Sequence, residues 1–221
     1  MKSLIRSLAK RALGLNSWNS DDDQERLIPD AKVIFDVGAN VGQTSKAYRR
    51  IFPSAEIWAF EPFPENFEVL RRALRDKQFH PVPLALSDDI GSVALNIGGA
   101  SITHSLLRRD TDTGDAVQVQ TDTIDHFCSQ HGVSVIDILK VDVEGAESRV
   151  FQGTRGMFSR RAIRSVFVEV YFEPVYDGMS LMWDLHSKLL ESGFGLVGIY
   201  SLQRNGKGFL SFANALYLLA N

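Results

Sequence analysis

Residues 33–62 read VIFDVGANVGQTSKAYRRIFPSAEIWAFEP. An apolar run reaches Asp36, and two glycines, Gly38 and Gly42, follow at Gly-x-x-x-Gly spacing. A helical stretch intervenes, and a second apolar run ends at Glu61 and Pro62. Strand, glycine turn, helix, strand is the opening unit of an α/β domain.

The same alternation continues outward. Strand-like runs lie at 32–37, 56–60, 81–86, 135–141, 165–170, 195–201 and 214–219. Helix-like segments lie at 43–51, 64–75, 146–158 and 179–191. The early runs are almost continuously apolar, as in parallel strands buried on both faces. SVALNI and AVQVQTDTIDHF suggest an additional β pairing around a polar loop, and residues 195–219 read as an antiparallel closing hairpin.

In an open α/β sheet a ligand binds outside the carboxyl ends of the strands. Gly38 and Gly42 let the backbone turn tightly and approach a ligand, with Asn40 between them. No Gly-Lys-Ser/Thr follows, so the loop is not a P-loop, and its spacing differs from Gly-x-Gly-x-x-Gly. Asp36 beside it disfavours a pyrophosphate and suits an ammonium or sulfonium. Glu61 stands where a carboxylate can accept ribose hydroxyl hydrogens. A nucleoside with a cationic end satisfies both, and S-adenosylmethionine is such a molecule. An NAD-type dinucleotide is the alternative.

IFDVGANVGQTS, AFEPFPENFEVL, PLALSDDIGSVAL, VQTDTIDHF and DILKVDVEGAESRVFQG are similar to successive blocks of the FkbM-type methyltransferases. The resemblance covers roughly 33–170, and LKVDVEGAE is its most specific block. It implies a Rossmann-like class I fold, a mostly parallel seven-stranded sheet with an antiparallel C-terminal strand. It also implies S-adenosylmethionine as cofactor and methylation of a hydroxyl, often on a sugar, glycan or natural product. By the same resemblance Ser87 and Asp88 line an adenine pocket, although LSDD also reads as a plain turn. The family commonly has a histidine soon after the acid that ends the fifth strand. Here VEVYFEP has Tyr171 and Phe172, so no role transfers. A non-catalytic binding module on this fold also remains open.

For chemistry the informative stretch is ILKVDVEGAE. On an extended strand Lys140, Asp142 and Glu144 share one face. Three charges there need pairing or water, so they form either a structural ion cluster or a catalytic cleft. A carboxylate could take a proton from the acceptor hydroxyl or hold the methionine ammonium. Lys140 could stabilise an alkoxide or orient the carboxylates. Glu169 ends the next strand and could face the same cleft. His104 and Arg108–Arg109 lie on a polar loop, as surface residues or as substrate contacts. Asp142, Glu169 and a neighbour could chelate a divalent cation, but carboxylates alone do not define a metal site, and no metal is assigned.

The chain has 221 residues, 44% hydrophobic and 23% charged, with formal net charge −3. That is globular composition without global attraction to nucleic acid. Cys128 is the single cysteine, which excludes a disulfide within the chain and fits a cytoplasmic location. No apolar run is long enough to span a membrane, and no secretory signal is recognisable. MKSLIRSLAKRALGL reads as an amphipathic helix, packed on the domain or touching an anionic membrane surface or a partner. NSWNSDDDQERLIPD reads as an acidic linker, giving a helix and linker at 1–30 and the methyltransferase domain at 31–221. The acceptor and the oligomeric state have no sequence signal.

Overall fold

The computed structural model describes residues 19–98, 104–109 and 114–220. The N-terminal amphipathic stretch lies outside them.

Seven strands form the main sheet in the order β3-β2-β1-β7-β8-β10-β9. They are β1 (Val33–Val37), β2 (Glu56–Phe60), β3 (Phe79–Val82), β7 (Ile136–Val141), β8 (Ile163–Tyr171), β9 (Phe194–Tyr200) and β10 (Phe212–Leu219). Pairings β3-β2, β2-β1, β1-β7 and β7-β8 are parallel, and β10 is antiparallel to both β8 and β9. Strand order reverses between β1 and β7, which opens a ligand crevice at their carboxyl ends. The continuous apolar runs follow from burial on two faces. Phe35, Val37, Leu139 and Val141 pack into one cluster with Phe127, Met157 and Leu185. Ile34, Ile138 and Ile57 pack into another with Ile28, Tyr48 and Leu70.

The extra β pairing is a three-stranded sheet in the order β4-β6-β5, of Ala85–Leu86, Ala116–Asp122 and Gly91–Asn96. The run at 81–86 is therefore two strands in two sheets. Pro83 and Leu84 make the transfer, and Pro81 is accommodated because β3 is an edge strand. The second half of AVQVQTDTIDHF is a helix, Ile124–His131, capped by the Thr123 side chain, which accepts the His126 N–H. There Cys128 is buried, and burial pushes its thiol up to about 12.

Three helical readings change. The acidic linker contains a helix, α1 (Ser20–Leu27), with Asn19 as N-cap and Asp21, Asp22 and Asp23 in its first turn. Carboxylates favour a helix N-terminus electrostatically, although α1 lacks an apolar stripe. Two hydroxyls tie it to the domain, Tyr48 donating to Gln24 Oε1 at 3.0 Å and Tyr200 donating to Asp23 Oδ2 at 2.7 Å, and Leu27 packs on the cluster of Ile34 and Tyr48. The helix after β2, α3 (Pro64–Leu70), ends sooner than 75; α2 (Gln43–Ile51) precedes it. The segment 146–158 is two helices, Glu147–Gln152 and Arg155–Ser159. Between them Gly153 packs on the Ser87 backbone, and a Cβ there would lie 2.0 Å from Ser87 O.

Candidate active site

A cavity of about 260 Å³ opens where β1, β2 and β7 end. Gly38, Ala39 and Asn40 form one wall, with Glu61 beside them. Leu84, Ala85 and Leu86 form a second, apolar wall. Lys140, Asp142 and Glu144 close the far side.

The glycine loop is built by two backbone ties. Gly38 N–H and Ala39 N–H donate to Phe60 O, at 3.1 and 2.9 Å. Asn40, itself left-handed at φ 50°, donates its N–H to Glu61 Oε2 at 2.9 Å. Phe63 N–H reaches Glu61 Oε1 at 2.8 Å. Each oxygen of Glu61 keeps a lone pair for a further donor. Burial pushes the Glu61 carboxyl up to about 7 despite those two hydrogen bonds.

Asp36 differs from its expected place. It is wholly buried below the loop, away from the cavity wall, where Ser45 Oγ donates to it at 2.6 Å. Lys140 Nζ lies 3.1 Å from Asp36 Oδ1 and donates to Gly38 O at 2.8 Å. Asp36 therefore touches no ligand in this cavity and acts on it only as a buried charge beside Lys140 and the loop. Gly42 is also off the wall; at φ 86° it opens α2, and a Cβ would lie 2.7 Å from Ala73 Cβ. Ser87 and Asp88 do not line the cavity either. Ser87 Oγ turns to Asp88 Oδ1 at 2.9 Å, and the three preceding residues face the space instead.

Alternation along β7 ends with the strand at Val141. Asp142 is half-exposed, 3.6 Å from Lys140 Nζ. Burial disfavours the Lys140 charge, but Asp36 and Asp142 outweigh it and hold the ammonium above the usual lysine range. Glu144 reaches the cavity through a turn, with φ 55° at Glu144 and 92° at Gly145. Glu147 Oε1 shapes that turn by accepting the N–H groups of Val143 and Gly145, both at 3.1 Å.

Two tyrosines that sequence reasoning gave no role complete the acidic side. Tyr176 donates its hydroxyl to Glu144 Oε2. The Tyr171 hydroxyl lies 3.3 Å from Glu144 Oε2 and 2.6 Å from Glu169 Oε2. Carboxylate oxygens of Asp142, Glu144 and Glu169 come within 4.8 Å of one another, although Glu169 stands behind the cavity wall. Burial, then the neighbouring carboxylates, push Glu144 up to about 7 and Glu169 up to about 9. The oxygens suit a hard cation by type, but one Glu144 oxygen already takes both phenols.

His104 lines the cavity with its ring 4.2 Å from the Phe63 ring. Its Nδ1 accepts Gly98 N–H at 3.2 Å, which places the hydrogen of the neutral ring on Nε2, and burial lowers its pKa. Ser105 Oγ straps this segment to Glu144 O at 2.6 Å. The Arg109 guanidinium lies 5.5 Å from the centre of the Tyr176 ring, and Arg108 O accepts Asp177 N–H. Among the described residues no helix is long and apolar enough to cross a membrane.

The profile of the methyltransferase FkbM domain matches residues 36–196, and the chain belongs to that family. It is similar to the 31-O-demethyl-FK506 methyltransferase FkbM of Streptomyces tacrolimicus, at 28% identity over 63% of this chain and 65% of that one. It is also similar to the 2-O-methyltransferase NoeI of Sinorhizobium fredii, at 26% identity over 66% of each. The match thus spans slightly less than two thirds of these relatives. In fold it is like M. capricolum TrmK solved with S-adenosylhomocysteine, with TM-score 0.53 and 7% identity over 91% of this chain and 68% of that one.

Proposed function

We propose that the chain is an S-adenosylmethionine-dependent O-methyltransferase acting on a hydroxyl of a sugar, glycan or natural-product small molecule. One observation carries this reading. A single cavity joins Glu61, bonded to the glycine loop, with the Asp142–Glu144 acids, and the one ammonium that lines it among the described residues, that of Lys140, is already paired with Asp36. Among the described residues, three carboxylates therefore face a space whose one lysine is ion-paired with Asp36 and whose histidine has its pKa lowered by burial. Such a wall attracts a cation that also carries hydroxyl donors. The O-methyl chemistry in the names of both relatives favours a hydroxyl acceptor.

When bound, S-adenosylmethionine supplies a methyl group already activated on a sulfonium. Glu61 would accept the ribose hydroxyl hydrogens, and Gly38 and Asn40 would bring backbone close to the ligand. Leu84, Ala85 and Leu86 offer an apolar face to a base. Asp142 or Glu144 would accept the acceptor's proton, and the other would hold the ammonium of the methionine part. Lys140 would keep Asp142 and the glycine loop in register. Alignment and exclusion of water supply the rest.

Isothermal titration tests the cofactor, with S-adenosylmethionine and NAD compared side by side. Binding of the first and not the second is the expected result; the reverse would overturn the assignment. A hydroxyl-acceptor screen with mass detection of a transferred methyl group tests the reaction.

A further inference from the structure

From Glu144 on the cavity wall a chain of contacts runs inward: Glu144 Oε2 lies 3.3 Å from the Tyr171 hydroxyl, which lies 2.6 Å from Glu169 Oε2. Tyr176 adds a third contact, to Glu144 Oε2. A phenol has one hydrogen, so two tyrosines supply two hydrogens to three contacts. The remaining contact is lone pair against lone pair unless a carboxyl carries the third.

We propose that Glu169 holds this hydrogen as a neutral acid and that Tyr171 is a positioning residue, which passes the hydrogen-bond direction from Glu169 to an ionised Glu144. The assignment deepens the methyltransferase reading and rests on it for its consequence in turnover. Glu169 Oε2–H donates to Tyr171 Oη, Tyr171 O–H donates to Glu144 Oε2, and Tyr176 O–H donates to the same oxygen. Every hydrogen is then used once.

The surroundings choose which acid is neutral. Glu144 faces the cavity and has the Arg109 charge nearby, which favours its ionised form. Glu169 is more deeply placed and faces Asp142, Glu144 and Glu147, all of which oppose a second charge, with Lys140 as the opposing cation. Burial raises both phenols far above their usual range, so both remain hydrogen donors. The arrangement leaves Glu144 an anion steadied by two phenols, with a neutral neighbour where a third charge would repel it.

Infrared difference spectroscopy at neutral pH reads the proton without any turnover. Subtracting Glu169→Gln from the parent should leave the carbonyl band of one neutral carboxylic acid. The band should persist in magnesium chloride. Glu169→Met, which also removes the acid, should give the same difference if Glu169→Gln folds poorly. No acid band, or a band lost on adding magnesium, overturns the proposal in favour of an ionised Glu169 or a bound cation. Tyr171→Phe should raise the acidic limb of the kcat/KM pH profile by about one unit, since one hydrogen bond to ionised Glu144 is lost. An unmoved limb with uniformly lower kcat makes Tyr171 merely structural and overturns its role. If no acceptor is methylated at all, the functional reading fails while the infrared result still decides the proton.

Discussion

Gly38 and the carbonyl of Asp142 are in backbone contact: a Cβ on Gly38 would lie 1.8 Å from that oxygen. The loops after β1 and β7 close on each other here, and Asp142 N–H donates to Val37 O at 3.1 Å. The need for glycine thus comes from the protein itself, whether or not a ligand is near.

Gly38→Val should therefore lose stability as well as cofactor binding. The residue has φ 75°, which strains any side chain, and the obstacle is backbone that cannot rotate aside. The loss should exceed the roughly 0.5–3 kcal/mol of ordinary substitutions. Thermal melts with and without S-adenosylmethionine check it. A parent-like melting temperature with cofactor binding abolished would mean that the glycine serves the ligand alone.

Glu61→Gln keeps the shape and removes the charge. Cofactor affinity should drop by about 1.5–3 kcal/mol, the usual worth of a hydrogen bond to a charged group. Because Glu61 is raised to about 7, affinity in the parent should increase as pH rises through that value and then level off. Titration at several pH values reads both effects, and pH-independent affinity would remove Glu61 from the contact.

Asp142→Asn and Glu144→Gln separate the two acids. Loss of the proton acceptor should lower turnover by about 10²–10⁴-fold while cofactor affinity changes little. Loss of the ammonium partner should weaken affinity as well. Near-normal turnover in both variants would exclude this turn as the source of the chemistry.

The ligand-free protein should become less stable as pH rises from mildly acidic to mildly basic. Glu61, Glu144, Glu147 and Glu169 are raised by burial to about 7, 7, 8 and 9. Unfolded glutamates titrate near about 4.3, so between the two values the folded chain holds more protons than the unfolded one. Stability then falls with pH across that window. Calorimetry should show the decline, and S-adenosylmethionine should flatten it; a melting temperature that rises over the same interval would contradict the burial of these acids.

Gln24→Ala should destabilise the fold by about 1–3 kcal/mol, because it leaves the buried Tyr48 hydroxyl without its acceptor. Denaturant melts check this. An unchanged midpoint would return α1 to the status of a linker.

Much of the architecture was legible because its causes are local. Strands β1, β2 and β7 are written as continuous apolar runs, and those runs require two covered faces whatever covers them. The turn at Gly38 and Gly42 and the acid at Glu61 follow from a strand ending before a helix. Helix α1 escaped this reading because its evidence is capping and acidic first-turn residues, with two of its anchors, Tyr48 and Tyr200, distant side chains. The split of 81–86 between two sheets was equally hidden, since both halves have the same local pattern.

Periodicity, with residues near one another in the chain, was enough to specify a parallel sheet, a glycine loop and an acid at the end of the neighbouring strand. Tertiary structure alone decided which carboxylates face the cavity. Asp36 was turned inward to Ser45 and Lys140, and the strand alternation that joined Lys140 to Glu144 ended at Val141. Tyr171 and Tyr176 reached Glu144 from 27 and 32 residues away. Proton affinity depends on burial and on charges and donors within a few ångströms, and those neighbours exist only once the chain has folded.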